Sequence, residues 1–223
     1  MARYPQPSGD ARGSLKWIQE FVNNRTADLD AAIHTASDGR IATPLSWHSP
    51  LAEDEFAEYR DQVFLDRLDI DLSSRPLADF WPRLGPQWDA LGTTAAGEPV
   101  LVEAKANIRE IVSPPSGASD RSLEQIRSSL RESAEFLGAS SSCDWSGTFY
   151  QYANRLAHLY LLHEVNGIDS WLVFIYFIGD DDVSGPGSEA EFRAALTVLH
   201  GALGLRRHPL LRRCVDVFID VEM

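Results

Sequence analysis

Cysteine and positive charge are both scarce in this sequence. Its 223 residues include two cysteines, Cys143 and Cys214, which are too far apart for a metal-ligand motif and suggest no disulfide framework. This usage fits the reducing cytoplasm, which is the compartment we predict. Lys and Arg number 20 against 33 Asp and Glu, so the formal net charge is −13. That balance argues against a broadly basic nucleic-acid-binding face and requires any phosphate-binding site to be local, with help from a metal cation.

Long apolar runs and the common nucleotide motifs are missing as well. The most apolar segment, residues 171–179, is too short to cross a bilayer, and the first 13 residues contain no apolar core of a signal peptide, so we expect no membrane partner. Neither G-x-x-x-x-G-K-[ST] nor G-x-G-x-x-G occurs, which leaves nucleotide hydrolysis and dinucleotide binding without support. The histidines show no zinc-ligand spacing, and no Ser or Cys stands in a nucleophile elbow.

Apolar residues are plentiful: they make up 44% of the chain, enough to bury a sizeable core. Residues 1–13 are rich in Pro, Gly and Arg and are predicted to be mobile. Ser14 is a candidate cap for a helix through LKWIQEFVNN. A second helix is predicted from Ser49 to about residue 68, with Pro50 in its first turn and apolar residues at helical spacing.

The rest of the chain alternates strand and helix patterns. Residues 78–84 are predicted to form a short strand or an extended approach interrupted by Pro82, followed by two hairpin strands, GPQWDALGTT and PVLVEAKA. Two helical segments, RSLEQIRSSLRESAEFLG and TFYQYANRLAHLYLLHEVNG, lead to a strand that is apolar on both faces, WLVFIYFIG. A further helix, EAEFRAALTVLHGALGL, precedes a closing alternating strand. We therefore predict one α/β domain over residues 1–223: a central mixed β-sheet flanked by helices, with extra helices at the N-terminus.

The hairpin carries charged residues where a strand enters the core. On PVLVEAKA, Glu103 and Lys105 share one face, since side chains alternate along a strand with a period of two. If Thr94 faces Glu98 across a three-residue loop, the pairing places Asp89 opposite Glu103, and a four-residue loop would shift it by about one residue. Two carboxylates and an ammonium group are then expected to converge at one edge of the sheet.

These groups suit a divalent cation. Mg²⁺ prefers hard oxygen ligands, which Asp89 and Glu103 can supply from their carboxylates and Ala104 from its backbone carbonyl. Lys105 can orient or deprotonate an attacking water, or stabilise charge that develops on a phosphate. The alternative is that Glu103 and Lys105 form an ordinary ion pair on a solvent-exposed strand.

The pattern D…E-x-K on a hairpin, with a helix before it and a helix and strand after it, resembles the PD-(D/E)xK phosphodiesterase superfamily, which includes the restriction endonucleases. The resemblance covers about residues 50–180 and implies a core of helix, three strands, helix and strand. It also implies that Asp89 and Glu103 bind Mg²⁺, or alternatively Mn²⁺, and that Lys105 assists the nucleophilic water. Here Trp88 stands where the superfamily usually has a Pro before its Asp. Because restriction-type relatives are often dimers, the resemblance also implies that this protein can form a homodimer.

The superfamily often adds polar residues from neighbouring helices. Gln151, Asn154 and His158 can form a polar stripe that faces the hairpin, with Gln151 the strongest candidate, or they can face solvent. Many members also place an acidic residue on the helix before the first strand, for which Glu55 and Glu58 are the candidates and Glu58 is the better placed. Alternatively, both glutamates belong to an acidic, solvated helix face.

Two charged clusters stand outside the hairpin. The segment RRHPLLRR carries four arginines that can contact a phosphate backbone or simply lie in an exposed loop: Arg206, Arg207, Arg212 and Arg213. Residues 180–182, DDD, have the composition of a metal-binding group, but their Gly- and Pro-rich surroundings favour a solvated turn.

The residues leave two functional hypotheses. The first is a Mg²⁺-dependent nuclease that hydrolyses phosphodiester bonds of DNA or RNA through Asp89, Glu103 and Lys105, with Gln151 as a further catalytic candidate. The second is a non-catalytic member of the same fold that works as a protein-binding or regulatory module. The negative net charge favours the second, because repulsion slows the encounter with nucleic acid. The intact trio favours the first, since a purely structural protein has no need to retain buried charges at a desolvation cost.

Overall fold

The secondary structure of residues 2–222, described by a computed structural model, alternates between helices and strands. In chain order the elements are β1 (Ala2–Arg3), α1 (Gly13–Asn23), α2 (Thr26–Ala36), β2 (Ser46–Ser49), β3 (Glu58–Tyr59), α3 (Gln62–Arg67), α4 (Leu77–Phe80), β4 (Ala90–Thr93), β5 (Pro99–Lys105), α5 (Asp120–Phe136), α6 (Tyr150–Tyr160), β6 (Trp171–Ile178), α7 (Glu189–Ala202) and β7 (Cys214–Asp220). A π-helical turn, Leu161–Val165, continues α6.

Five of the strands form one mixed sheet in the order β2-β4-β5-β6-β7. The first three are antiparallel neighbours, whereas β6 and β7 run parallel to β5. Parallel neighbours need a long crossover connection. The segment with α5 and α6 makes the crossover from β5 to β6, and α7 makes the one from β6 to β7. The predicted architecture, a mixed α/β sheet flanked by helices, is therefore confirmed.

Helices cover both faces of this sheet. α1 and α2 contribute to the core on the face that carries Val100 and Val102, and α5, α6 and α7 pack on the face that carries Leu101. β6 lies between the two layers and all eight of its residues are buried, as its unbroken apolar run predicted. Glu103 and Lys105 share the face of Leu101, so their charged groups point toward α6 and not into bulk solvent. Within residues 2–222, no helix combines the length and apolar composition that crossing a bilayer requires.

The long helix predicted from Ser49 to residue 68 is wrong. Ser49 ends β2, and the residues after it form a 3-10 turn, β3 and then the short α3. Glu55, Phe56 and Asp61 have φ angles of 52°, 55° and 54°, in the left-handed region that interrupts a right-handed helix. The apolar residues at helical spacing belong instead to this turn, to β3 and to α3, and Tyr59 in β3 is buried.

The strand predicted at residues 78–84 is also wrong. α4 forms one helical turn there with Pro76 at its N-cap, and Pro82, which has no N–H to give to a sheet, follows it. β2 supplies the missing first strand by pairing with β4. The sheet strands β2, β4 and β5 therefore come after α2 and before α5, α6 and β6, with β3, α3 and α4 inserted between β2 and β4.

Residues near the start of the chain pair with β3: β1 runs antiparallel to it, with Ala2 opposite Tyr59 and Arg3 opposite Glu58. The predicted mobility of residues 1–13 stays a prediction. α1 begins at Gly13 with Arg12 as its N-cap, so the predicted Ser14 cap is wrong. The Ser14 hydroxyl donates instead to the Glu110 carboxylate, at 2.8 Å.

β4 and β5 pair in the predicted register. Ala90 faces Val102, and the Thr94 N–H donates to the Glu98 carbonyl at 3.0 Å, which closes a three-residue loop. The ladder ends at Ala90. Asp89 lies in a bend just before β4, with its N–H donating to the Val102 carbonyl at 3.1 Å. Asp89 therefore stands where the chain leaves the sheet.

Candidate active site

A cleft opens at the end of the β4–β5 hairpin beside α6. Its volume is about 750 Å³, and the loops at residues 82–87 and 113–119 form its walls. Asp89, Glu103 and Lys105 all line it. Three residues that the sequence predicted to converge therefore meet in one cavity.

Glu103 is the most enclosed of the three, with 3% of its surface exposed. Its Oε1 accepts a hydrogen bond from Lys105 Nζ at 2.6 Å, and its Oε2 accepts one from Arg155 Nε at 2.7 Å. Burial pushes the pKa of the Glu103 carboxyl up, but the Arg155 and Lys105 charges outweigh burial and hold the pKa below its usual value. Glu103 is thus an ionised, fully paired carboxylate, and the alternative of an ion pair on a solvent-exposed strand does not describe it.

Asp89 is partly exposed and faces the cleft. Its Oδ2 accepts the Ala104 N–H at 2.7 Å. Because the N–H and C=O of one strand residue point to the same side, the Ala104 carbonyl also lies on the Asp89 side of β5. Desolvation and the nearby Glu103 charge raise the pKa of Asp89 to about 7, even though Lys105 opposes them. The Asp89 carboxylate therefore lacks enough nearby positive charge to hold it ionised.

Lys105 links the hairpin to α6. Its Nζ donates to Glu103 and, at 3.2 Å, to Gln151 Oε1. The Gln151 N–H donates in turn to Ser113 Oγ at 2.9 Å, which fixes the start of α6 against the cleft wall. Burial lowers the pKa of Lys105, but Glu103 and Asp89 outweigh it, so the pKa is raised and the amine is protonated. The predicted candidate Gln151 is thus in direct contact with the predicted trio.

The predicted polar stripe on α6 is correct at two of its three positions. Gln151 and Asn154 line the cleft, but His158 does not. His158 is buried among four aromatic rings, and its Nδ1 bonds to the Asn154 carbonyl at 2.8 Å. Burial lowers the pKa of His158 to about 3, so it is neutral. The rings around it are those of Phe64, Phe80, Trp81 and Trp88.

Arg155 is the site residue that sequence reasoning did not single out. Besides Glu103 it bonds the Gln87 carbonyl at 2.7 Å, and its guanidinium lies 4.8 Å from the Trp88 ring centroid. A usable signal was present in YQYANRLAHLY: Arg155 precedes Leu156 and Ala157 in a largely apolar helix, and an arginine that such a helix buries needs a buried acceptor. The sequence alone did not say which acceptor.

A third carboxylate, Glu58, lies beside the site. Desolvation and the Asp89 charge raise the pKa of Glu58 to about 8. Its Oε2 is buried without a hydrogen-bond partner among residues 2–222, and the Arg3 guanidinium is 3.6 Å away. Glu58 was predicted on a helix, which is wrong, since it belongs to β3. The alternative of a solvated acidic face holds for the exposed Glu55 and fails for Glu58.

The two other charged clusters stand away from this cleft. Asp180 caps the turn at residues 180–182 by accepting the Asp182 N–H, and it accepts the Trp17 indole N–H at 2.8 Å. Arg213 forms ion pairs with Glu98 and Asp169. The remaining three arginines of RRHPLLRR line a separate cavity.

The residues at the cleft end fit Mg²⁺ or Mn²⁺ by donor type. Within residues 2–222, no three or more His, Cys, Asp or Glu side chains form a metal-binding group. A cation would instead be held by Asp89, one Glu103 oxygen and the Ala104 carbonyl, with water in the other positions, which is a common arrangement for Mg²⁺. Glu58 Oε2 accepts no hydrogen bond from residues 2–222, and the pKa of Asp89 is raised, so a cation bound between these two carboxyl groups would favour their ionised forms.

Comparison of the chain with known protein families, curated proteins and solved structures gives no significant match. The resemblance to a nuclease superfamily therefore rests on the hairpin motif, the order of elements and the geometry of the cleft.

Proposed function

We propose that this protein is a Mg²⁺-dependent nuclease, with Mn²⁺ as the alternative ion, that hydrolyses phosphodiester bonds of DNA or RNA. The observation that carries the proposal is the convergence of Asp89, Glu103 and Lys105 at one end of a single cleft. The order of elements supports a restriction-endonuclease-like core, since α2, the strands β2, β4 and β5, the helices α5 and α6, and β6 follow the order of the PD-(D/E)xK superfamily once the inserted β3, α3 and α4 are set aside.

The side chains suit phosphodiester hydrolysis. When bound, the metal ion would polarise the phosphate and lower the pKa of an attacking water. Asp89, Glu103 and the Ala104 carbonyl supply oxygen ligands for it. Hydrolysis joins the water oxygen to phosphorus and breaks the bond to the leaving oxygen, which takes up a proton. Lys105 is protonated, so it is suited to orient that water and to stabilise negative charge on the phosphate.

The charge of the cleft supports a polyanionic substrate. Four basic side chains and two acidic ones line it, although acidic residues predominate in the whole chain. Arg3 and Arg83 are the basic residues outside the Lys105–Glu103–Arg155 network. A positive mouth on a negative protein concentrates a nucleic acid at the cleft and repels it elsewhere.

One observation favours the second function, a non-catalytic module. Both Glu103 oxygens already accept hydrogen bonds from cations, at 2.6 and 2.7 Å. A metal ion has to displace one of these contacts, whereas a module that binds a protein or regulates a partner needs no such change.

The test exploits the fact that Lys16 and Lys105 are the only lysines of the sequence. Plasmid, single-stranded DNA and RNA are incubated with the protein in Mg²⁺, Mn²⁺ or EDTA, beside Lys105→Met and Lys16→Met. The proposal expects metal-dependent cleavage that Lys105→Met lowers at least about 100-fold. Lys16→Met, which removes a surface ion pair with Asp182, is expected to cleave like the parent.

Equal, metal-independent background from all three proteins would count against the nuclease. Calorimetric titration with Mg²⁺ then separates the two functions: an inactive protein that binds no Mg²⁺ at Asp89 leaves the module as the better description.

A further inference from the structure

A second cavity of about 760 Å³ is lined by residues of α6, α7, β7 and the loop that joins α7 to β7. We call it the arginine cavity. Its lining combines basic groups at the loop, an apolar wall and a polar floor, formed by Tyr152, His200, Leu205, Arg206, Arg207, His208, Pro209, Leu211, Arg212, Cys214 and Asp216. None of these residues belongs to the nuclease site proposed above.

Three of its arginines have no ion-pair partner. Arg206, Arg207 and Arg212 are exposed and form no ion pair with any of residues 2–222, whereas the adjacent Arg213 pairs with both Glu98 and Asp169. Acidic side chains outnumber basic ones by 33 to 20 in this chain, so partners for three guanidiniums are plentiful. Three unpaired guanidiniums around one cavity are therefore well suited to an anion from outside, and a phosphate is the group that arginine binds best.

The interior of the cavity differs from its mouth. Leu205, Pro209 and Leu211 give it an apolar wall. On the floor, the Tyr152 hydroxyl bonds to His200 Nε2 at 2.9 Å, and the Asp216 carboxylate, which already interacts with the Tyr176 hydroxyl, has lone pairs for a further hydrogen bond. This carboxylate disfavours an anion deep in the cavity and favours a neutral group that donates hydrogen bonds.

We propose that the arginine cavity binds a nucleotide, with the phosphate on Arg206, Arg207 and Arg212 and the base inside. A nucleobase supplies the three features that the interior requires: a planar apolar body, hydrogen-bond donors for Asp216 and a size that suits a cavity of about 760 Å³. The phosphate belongs either to a free nucleotide or to the end of a nucleic-acid chain. The proposal does not depend on nuclease activity.

The experiment is calorimetric titration of the full chain in EDTA, so that no phosphate is bound through a metal at Asp89 and Glu103. The probes are AMP, GMP, CMP, UMP, inorganic phosphate and a short single-stranded oligonucleotide. The proposal expects at least one nucleotide to bind with a stoichiometry of one. The variant with Arg206→Gln, Arg207→Gln and Arg212→Gln is expected to bind it at least about tenfold more weakly. Arg109→Gln, an exposed arginine outside both cavities, is the matched control and is expected to bind like the parent.

A second variant tests the apolar wall. Leu205→Trp fills the interior, so it is expected to weaken nucleotide binding while leaving inorganic phosphate binding as it is in the parent; circular dichroism verifies that it folds. The oligonucleotide identifies the source of the phosphate. If it binds more tightly than the mononucleotides, and if the triple variant loses affinity for both by the same factor, the phosphate belongs to a nucleic-acid chain. Absence of binding by every nucleotide, full affinity in the triple variant, or inorganic phosphate that binds as tightly as the nucleotides would overturn the proposal.

Discussion

β5 and β6 are neighbouring strands of one sheet, and helices cover both, yet their sequences obey different rules. All eight residues of β6 are apolar and buried, which is what a strand between two helical layers requires. β5 is buried to almost the same degree but carries Glu103 and Lys105. Burying charges costs free energy that apolar residues at the same positions would not. The difference indicates that β6 is built for stability, whereas β5 gives up some stability for a charged site.

Removal of single side chains is expected to destabilise both strands strongly, for different reasons. Phe177→Ala in β6 leaves a cavity where the ring stacks on Phe21 with centroids 5.4 Å apart, and we expect a loss of about 3–5 kcal/mol in the free energy of unfolding. Glu103→Ala in β5 is expected to cost a similar amount, about 3–5 kcal/mol, because Arg155 remains buried without its acceptor. Urea denaturation measures both values. A cost below about 1 kcal/mol for Glu103→Ala would mean that water replaces the Glu103 carboxylate as the hydrogen-bond acceptor of Arg155.

Conversion of β5 into a strand like β6 sharpens the comparison. The triple variant Glu103→Met, Lys105→Met and Arg155→Met removes the whole network and not one partner of it. We expect its free energy of unfolding to equal or exceed that of the parent, because apolar groups of similar volume often replace buried ion pairs without loss. Nuclease activity is expected to be absent. A triple variant as unstable as Glu103→Ala would show that the network itself stabilises the fold.

Two carboxyl groups beside the cleft have raised pKa values that contribute to the pH dependence of stability. Asp89, with a pKa of about 7, and Glu58, with a pKa of about 8, keep protons in the folded protein that the unfolded chain releases near pH 4. These two groups therefore bind more protons in the folded state across this range, so their contribution to the stability of the metal-free protein falls as pH rises from about 4 to 8. Glu58→Gln is expected to reduce this fall. Urea denaturation of the parent and of Glu58→Gln in EDTA at several pH values checks it, and an identical pH dependence in the two proteins would refute the assignment.

Metal binding is expected to give the smallest effect. Mg²⁺ at ten times its Kd should stabilise the protein by about 1.4 kcal/mol, which thermal denaturation detects as a rise in Tm. At one fixed Mg²⁺ concentration the rise should be larger at pH 8 than at pH 6, because protons on Asp89 compete with the ion and raise its Kd. Asp89→Asn should abolish it, whereas Glu55→Gln, which changes an exposed acid, should not. An equal rise in Asp89→Asn would place the ion elsewhere.

Several features of the site were predictable because they depend on local rules. The alternation of side chains along β5 puts Glu103 and Lys105 on one face, and a three-residue loop sets the register with β4. The register in turn brings Asp89 to the end of the same hairpin. Gln151 was predictable from its position at the start of α6, one turn before Asn154.

Other features were not predictable, because they depend on residues that are far apart in the sequence. Arg155 is 52 positions from Glu103, and no local pattern joins the two. Glu58 has the spacing of a helical residue, but left-handed residues on both sides of it turn the chain into β3. β2 was missed because its four residues, SWHS, carry no alternating apolar pattern.

The sequence by itself determined the secondary structure of the central and C-terminal parts, the fully buried β6 and the face of β5 on which the charges stand. These follow from periodicity and turn length, which act over a few residues. Only the tertiary structure decided that Arg155 pairs with Glu103, that Glu58 lies beside Asp89 and that a cleft opens over them. Those outcomes depend on which surfaces pack together, and a buried charge takes whichever opposite charge the packing brings within reach.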